Sequence, residues 1–233
     1  MIPRTCTFAA ALTLPLLLPA CSNGFGERMR ESVHRSVPAA GAASVRVDNV
    51  AGTVHVEGWN RPLVDVEATK YGHDEAELRS IAIDVGRQGD EITVATRYGG
   101  GVHGGGVRYR ISVPAGASLR VSNIAGAADF TGVLGNLDVE TQTGQITADV
   151  GIVRAHRSID LRATTGAITL TIAPGSSARI EAQSTIGDFS SDLPGISRQR
   201  QNIVGSSGSG TIGSGSARIR LTTTTGAIAL RQR

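Results

Sequence analysis

The sequence predicts an all-β protein, a β-solenoid of coils about 20 residues long with an antiparallel β-hairpin insertion near its N-terminal end. Three observations carry this. A glycine-centred pattern recurs six times. Apolar residues alternate with period two on both sides of each glycine, as in strands with one buried face. Aromatic residues are 3% of the 233 and apolar residues 40%, with 30 glycines, so the interior must be narrow and filled by Val, Ile, Leu, Ala and Thr.

The chain begins with an export pattern. Arg4 is followed by an apolar run from Ala9 to Leu18 and by the small residue Ala20, the charge, length and cleavage site of a signal peptide spanning 1–20. The segment Leu18-Pro19-Ala20-Cys21 resembles the lipobox of bacterial lipoproteins, which implies that Cys21 becomes the acylated first residue. Cys6 leaves with the signal, so Cys21 is the sole cysteine of the mature chain and has no disulfide partner within it. Ser22 stands where the inner-membrane retention aspartate of lipoproteins would be, which by the same resemblance favours the outer membrane. Residues 21–44 read as a polar, lipid-anchored tether in which Ser32 to Val37 can add an edge strand. Arg28, Arg30 and Arg35 lie near the lipid.

The rest, 45–233, reads as one solenoid domain. The repeats centre on Gly52, Gly126, Gly144, Gly166, Gly187 and Gly226. Seven and five places before each glycine stand the apolar pairs Val45/Val47, Leu119/Val121, Leu137/Val139, Ile159/Leu161, Ile180/Ala182 and Ile219/Leu221. Two places after it stand Val54, Ala128, Ile146, Ile168, Phe189 and Ile228. Each repeat is therefore two strands that send one face inward across a glycine corner. Stacked coils would pair backbones at about 4.8 Å. Three places before the glycine, Asn49, Asn123, Thr141, Ala163, Ser184 and Thr223 would line one corner, and all but Ala163 could satisfy its backbone groups.

Two stretches depart from the pattern. Residues 58–114 hold four longer alternating runs, Val64 to Lys70, Ile81 to Arg87, Glu91 to Arg97 and Val107 to Val113, with a short helix expected over Asp74 to Ser80. Gly99 to Gly106 reads as a flexible hairpin tip. Residues 194–216, rich in Gly and Ser, read as an exposed loop excursion before the final coil.

The segments VRVDNVAGTVHVEGW (45–59), VRYRISVPAGASLRVSNIAG (107–126), the TxTG and TTG repeats (141–170) and the closing IRLTTTTGAIAL together resemble the bacterial putative adhesin family of envelope β-strand-repeat domains. The resemblance implies a β-helical solenoid and brings no catalytic residues with it.

The chemistry visible in the sequence is sparse. The five histidines, 34, 55, 73, 103 and 156, have no metal-ligand spacing, so no metal or cofactor is expected. No serine sits in a nucleophile elbow, and the glycine-rich loop lacks the Lys and Ser/Thr of a phosphate cradle. A formal charge of +3, without a concentrated basic face or stacking aromatics, excludes nucleic acid as partner. Stacking in chain order would align Asp138, Asp160 and Glu181 on successive coils, a carboxylate ladder able to meet a surface ligand, its like charges offset by Arg120 and Arg220 at its ends and by Arg162 beside it or, alternatively, bridged by a cation such as calcium. The leading expectation is a non-enzymatic envelope lipoprotein that binds an envelope glycan or protein. Two alternatives stay open, a polysaccharide-active β-helix enzyme using the acidic ladder and a purely structural or stress-associated envelope lipoprotein.

Overall fold

The computed structural model describes residues 29–39, 44–100, 104–201 and 204–233. The signal peptide, Cys21, the first eight tether residues and the loop residues 101–103 lie outside these. A strand β1 (Met29–Pro38) leads into the first repeat, β2 (Ser44–Ala51) and β3 (Val54–Trp59). The departing stretch supplies β4 (Leu63–Gly72), α1 (Glu75–Ser80), β5 (Ile81–Gln88), β6 (Glu91–Tyr98) and β7 (Gly106–Pro114). Three repeats follow: β8 (Ser118–Ala125) with β9 (Ala128–Thr131), β10 (Leu137–Thr143) with β11 (Ile146–Asp149), and β12 (Ser158–Thr165) with β13 (Ile168–Ile172). The fifth is β14 (Ala178–Ile186) with β15 (Phe189–Ser191). Then come β16 (Ile196–Gln201), β17 (Gly205–Ile212) and the closing repeat, β18 (Ala217–Thr225) with β19 (Ile228–Gln232).

The strand before each corner glycine joins one sheet and the strand after it the other. The ten-stranded sheet runs β16-β17-β14-β18-β12-β10-β8-β2-β6-β5, and the nine-stranded sheet β1-β4-β7-β3-β9-β11-β13-β19-β15. All six repeats pair in parallel and in register, as in Leu137↔Leu119 and Leu137↔Ile159. Their apolar columns meet between the sheets in one continuous core, where Leu161, Ile168, Leu170 and Ile219 have no solvent exposure. Tyr109, Phe130 and Phe189 are the large aromatic side chains of that core.

The corners explain why glycine recurs. Gly126 has φ +128°, a conformation unfavourable for L side chains, and an added Cβ would lie 2.0 Å from the carbonyl oxygen of Gly52. The same approach links Gly144 to Gly126, Gly166 to Gly144, Gly226 to Gly166 and Gly187 to Gly226. The small polar residues at this corner do the work expected of them. Asn49 donates to Asn123 (3.0 Å), and Asn123, Thr223 and Ser184 donate to the carbonyls of Gly126, Gly166 and Gly226. Thr141 is the exception, a buried hydroxyl with no partner.

Four expectations need correction. The final repeat does not stack at the end: β18 lies between β12 and β14, and β19 between β13 and β15. Residues 194–216 are not a loop excursion, because β16 and β17 form an antiparallel hairpin that extends the ten-stranded sheet beyond β14. The tether ends earlier than residue 44, since β1 pairs with β4 over its whole length, Met29↔Gly72 to Pro38↔Leu63. The alternating runs within 58–114 are strands, and they are divided between the sheets, so Gly99 to Gly106 is not a hairpin tip but the connection from β6 in one sheet to β7 in the other. β4 and β7 extend the nine-stranded sheet and the β5–β6 hairpin the other. Antiparallel strands thus cover both sheets at the end of the first coil and the ten-stranded sheet at the other end, where β15, parallel to β19, is the edge of the nine-stranded sheet.

Helix α1 is capped by Asp74, whose side chain accepts from the Glu77 backbone N–H. The buried Glu77 carboxylate accepts from the backbone N–H groups of Gly104 and Gly105 (3.0 Å each) and from that of His73 (2.6 Å), tying the helix to the glycine-rich segment.

Leu161→Ala should cost about 2 to 5 kcal/mol in chemical denaturation, because the narrow core cannot collapse around the lost side chain. Thr164→Ala, an exposed position of the same strand, should stay within about 0.5 kcal/mol. Alkaline pH gives a second expectation. Burial raises the Tyr98 and Tyr109 hydroxyls to about 12. The unfolded chain therefore loses these protons first, and stability falls as pH rises from about 10 to 12. Burial lowers Arg157 to about 10, which acts in the opposite direction over the same window, but one arginine does not offset two tyrosines. The decline in Tm over that range should be shallower in Tyr109→Phe.

Candidate binding surface

Outward positions of the ten-stranded sheet form rows across the coils, because parallel in-register pairing keeps equivalent residues adjacent. Six places before each corner glycine the row reads Arg46, Arg120, Asp138, Asp160, Arg220, Glu181. The expected ladder of three successive carboxylates is therefore not formed. Asp138 and Asp160 are neighbours, but the inserted strand β18 puts Arg220 between Asp160 and Glu181. A row that chain order makes acidic is thus a mixed-charge strip.

Ion pairs hold the strip. Arg162, two residues beyond Asp160, reaches both neighbouring carboxylates, with Nη1 2.8 Å from Asp160 Oδ2 and Nη2 2.6 Å from Asp138 Oδ1. Arg120 Nε lies 3.2 Å from the other Asp138 oxygen, and Arg220 Nη2 3.3 Å from Glu181 Oε2. Arg46 donates to Asp48 at 2.8 Å, and this hydrogen bond raises its pKa. Asp160 Oδ1 is buried without a partner. A shallow cleft of about 330 Å³ opens on the strip, lined by Ser44, Arg46, Glu91, Ser118, Arg120 and Asp138 among others.

Two further groups are products of register. His34, Asp65 and Glu67 offer ligand atoms within 4.8 Å of one another on the outer face of β1 and β4. Their geometry is that of an exposed cross-strand ion pair, with His34 Nε2 2.9 Å from Asp65 Oδ1. Burial raises the Asp65 pKa, but hydrogen bonds from Ser36 and His34 prevail and hold it low. At the corner where the chain returns to the ten-stranded sheet, buried Arg157 donates to the carbonyls of Gly135 (2.7 Å), Val150 (3.0 Å) and Val133 (2.6 Å), bracing successive turns. Neither group was visible in the sequence, because no spacing motif marks residues joined across β1 and β4 or across successive corners. The side-chain surroundings of the sequence-derived anchor, Cys21, fall outside the described residues.

Two stacked sheets of glycine-cornered coils with a mixed-charge outer strip define a class of repetitive all-β domains. Residues 108–231, more than half of the chain, match the family described as Toastrack DUF4097, and the chain belongs to that family. A putative cell adhesion protein from Clostridium sporogenes has the same fold: the match covers 88% of this chain and 100% of that one, with 12% identity and a TM-score of 0.64. A putative adhesin from Parabacteroides merdae matches over 87% of this chain and 96% of its own, with 11% identity and a TM-score of 0.25. No curated protein matches the sequence.

Arg162→Gln should leave Asp138 and Asp160 facing each other across adjacent strands. The expected loss, about 1 kcal/mol or less at low salt, should shrink as NaCl is raised to about 1 M, because these side chains are partly solvated. Thermal melts at two salt concentrations would measure it.

Proposed function

We propose that the chain is a non-enzymatic module of the bacterial cell envelope, held in the outer membrane by an acylated Cys21, that binds an envelope glycan or protein on its exposed β surface. The observation that carries this reading is the strip from Arg46 to Glu181. Six outward side chains on six adjacent strands are kept in register by backbone pairing and fixed by ion pairs. A preorganised polar strip loses little conformational entropy on meeting an extended ligand. The only carboxylates the row brings together, Asp138 and Asp160, share the guanidinium of Arg162, an arrangement that fixes a surface rather than freeing an acid and a base for chemistry. The anchoring part rests on the lipobox-like Leu18-Pro19-Ala20-Cys21 and on the lone mature thiol.

Envelope glycan and protein fractions passed separately over immobilised mature protein test the binding reading. One fraction should be retained. Arg120→Glu, which reverses a solvent-facing charge of the strip, should reduce retention several-fold while keeping Tm within about 3 °C. Unchanged retention would place the contact elsewhere. For the anchor, Cys21→Ser should yield uncleaved precursor or soluble protein, and normal membrane fractionation of that variant would exclude lipidation at this residue.

A further inference from the structure

Two groups of arginines on or beside the ten-stranded sheet differ in their partners. On the outer strip Arg46, Arg120, Arg162 and Arg220 each bond a carboxylate. At the corner leading back into the ten-stranded sheet, Arg154, Arg179 and Arg218 are exposed and their guanidinium groups have no ion-pair or hydrogen-bond partner among the described residues. Arg179 and Arg218 are direct cross-strand partners on β14 and β18. Like charges directly opposite are destabilising, so this pair is costly to the isolated protein. Between these side chains the buried cation of Arg157 is met by carbonyl dipoles and by no carboxylate.

Two clefts flank His156 and Arg157. One, of about 410 Å³, is lined by Arg179, Arg218, Ser158 and Ser216. The other, of about 610 Å³, holds Arg154, Ser118 and Asn136 and is walled by Leu134 and Ile152, 54% and 45% exposed. No acidic residue lines either. Together they cross β8, β10, β12, β18 and β14, four strand spacings or roughly 19 Å. The main chain along this path is engaged. His156 N–H donates to Ser216, Arg218 N–H to Arg157 and Ala217 N–H to Ser177, and Asn136 Oδ1 accepts from Ser158 N–H. An extended peptide thus finds no free edge to join as a strand. Cations interleaved with hydroxyl and amide side chains instead match a hydroxyl-rich anion.

We propose that this corner trough binds an anionic glycan, with Arg179 and Arg218 together holding a carboxylate or phosphate group and Leu134 and Ile152 receiving the C–H faces of the sugar rings. The proposal rests on the reading of the chain as a binding module and assigns the ligand its charge. The trough meets the outer strip at Ser118 and Asn136, which line the clefts of both.

Calorimetric titration of the full mature chain tests it with four polymers: polygalacturonate, phosphomannan, neutral dextran and poly-glutamate. One of the two anionic glycans should bind, which identifies carboxylate or phosphate as the group recognised, and raising salt should weaken it. The double substitution Arg179→Ser/Arg218→Ser should lower that affinity about tenfold or more. Its Tm should be unchanged or higher, because a like-charge contact is removed. Unchanged affinity in the double variant, equal binding of dextran, or tighter binding of poly-glutamate would each overturn the proposal. Absence of binding to all four would do so as well. In that case retention of an envelope fraction sensitive to Arg120→Glu would leave the binding module standing, and loss of both would remove the two readings together.

Discussion

Each corner glycine leaves a space the size of a methyl group, and the carbonyl oxygen of the neighbouring coil enters it. Along the column Gly52, Gly126, Gly144, Gly166, Gly226, Gly187, a Cβ would come within 1.8 to 2.1 Å of a carbonyl oxygen each time, that of Val107 at Gly52 and that of the preceding glycine thereafter. The absence of a Cβ there lets the corner keep the spacing that backbone pairing imposes on both sheets. Side chains are then chosen to suit a thin interior, Val, Ile, Leu and Ala inside and Thr, Ser and charged residues outside. The register of the outer strip and of the corner trough follows from the same column.

The repeats were legible because their signals are local. Alternation with period two and a glycine at a fixed place identify a bent strand pair without knowledge of its neighbours, and α1 was equally plain from Asp74 and the charged turn after it. Stacking order is not local. Glycine spacing shows how many coils exist, while the order in which they pair depends on which edges remain open. One hint was present: Gly187 and Gly226 are 39 residues apart, about twice the spacing of the preceding coils, room enough for a β16–β17 hairpin and a return into the stack. The Gly and Ser of 194–216 pointed to a loop, yet flat strands of small residues suit β17, where Gly208 lies against the ring of Phe189.

The position of β18 has its largest effect on the acidic residues. A ladder of Asp138, Asp160 and Glu181 would concentrate negative charge on adjacent strands, whereas inserting Arg220 alternates it. The polar corner residues were anticipated in kind, since Asn, Ser and Thr commonly satisfy turn backbones. The Arg157 brace was not, because a buried arginine bonded only to carbonyls has no motif.

The position of β18 and β19 also bears on how the native state is reached. β14 contacts the rest of its sheet through β18 on one side and carries only the β17–β16 hairpin on the other, and β15 pairs with β19 alone. Coils made from earlier segments can add one upon another as the chain becomes available. The fifth cannot join them until residues 217–232 fill the slot between. Addition of coils in chain order therefore ends with β12 and β13. Residues 217–232 thus act as a keystone: without them the chain would lose the attachment of everything from β14 to β17 as well as its final coil.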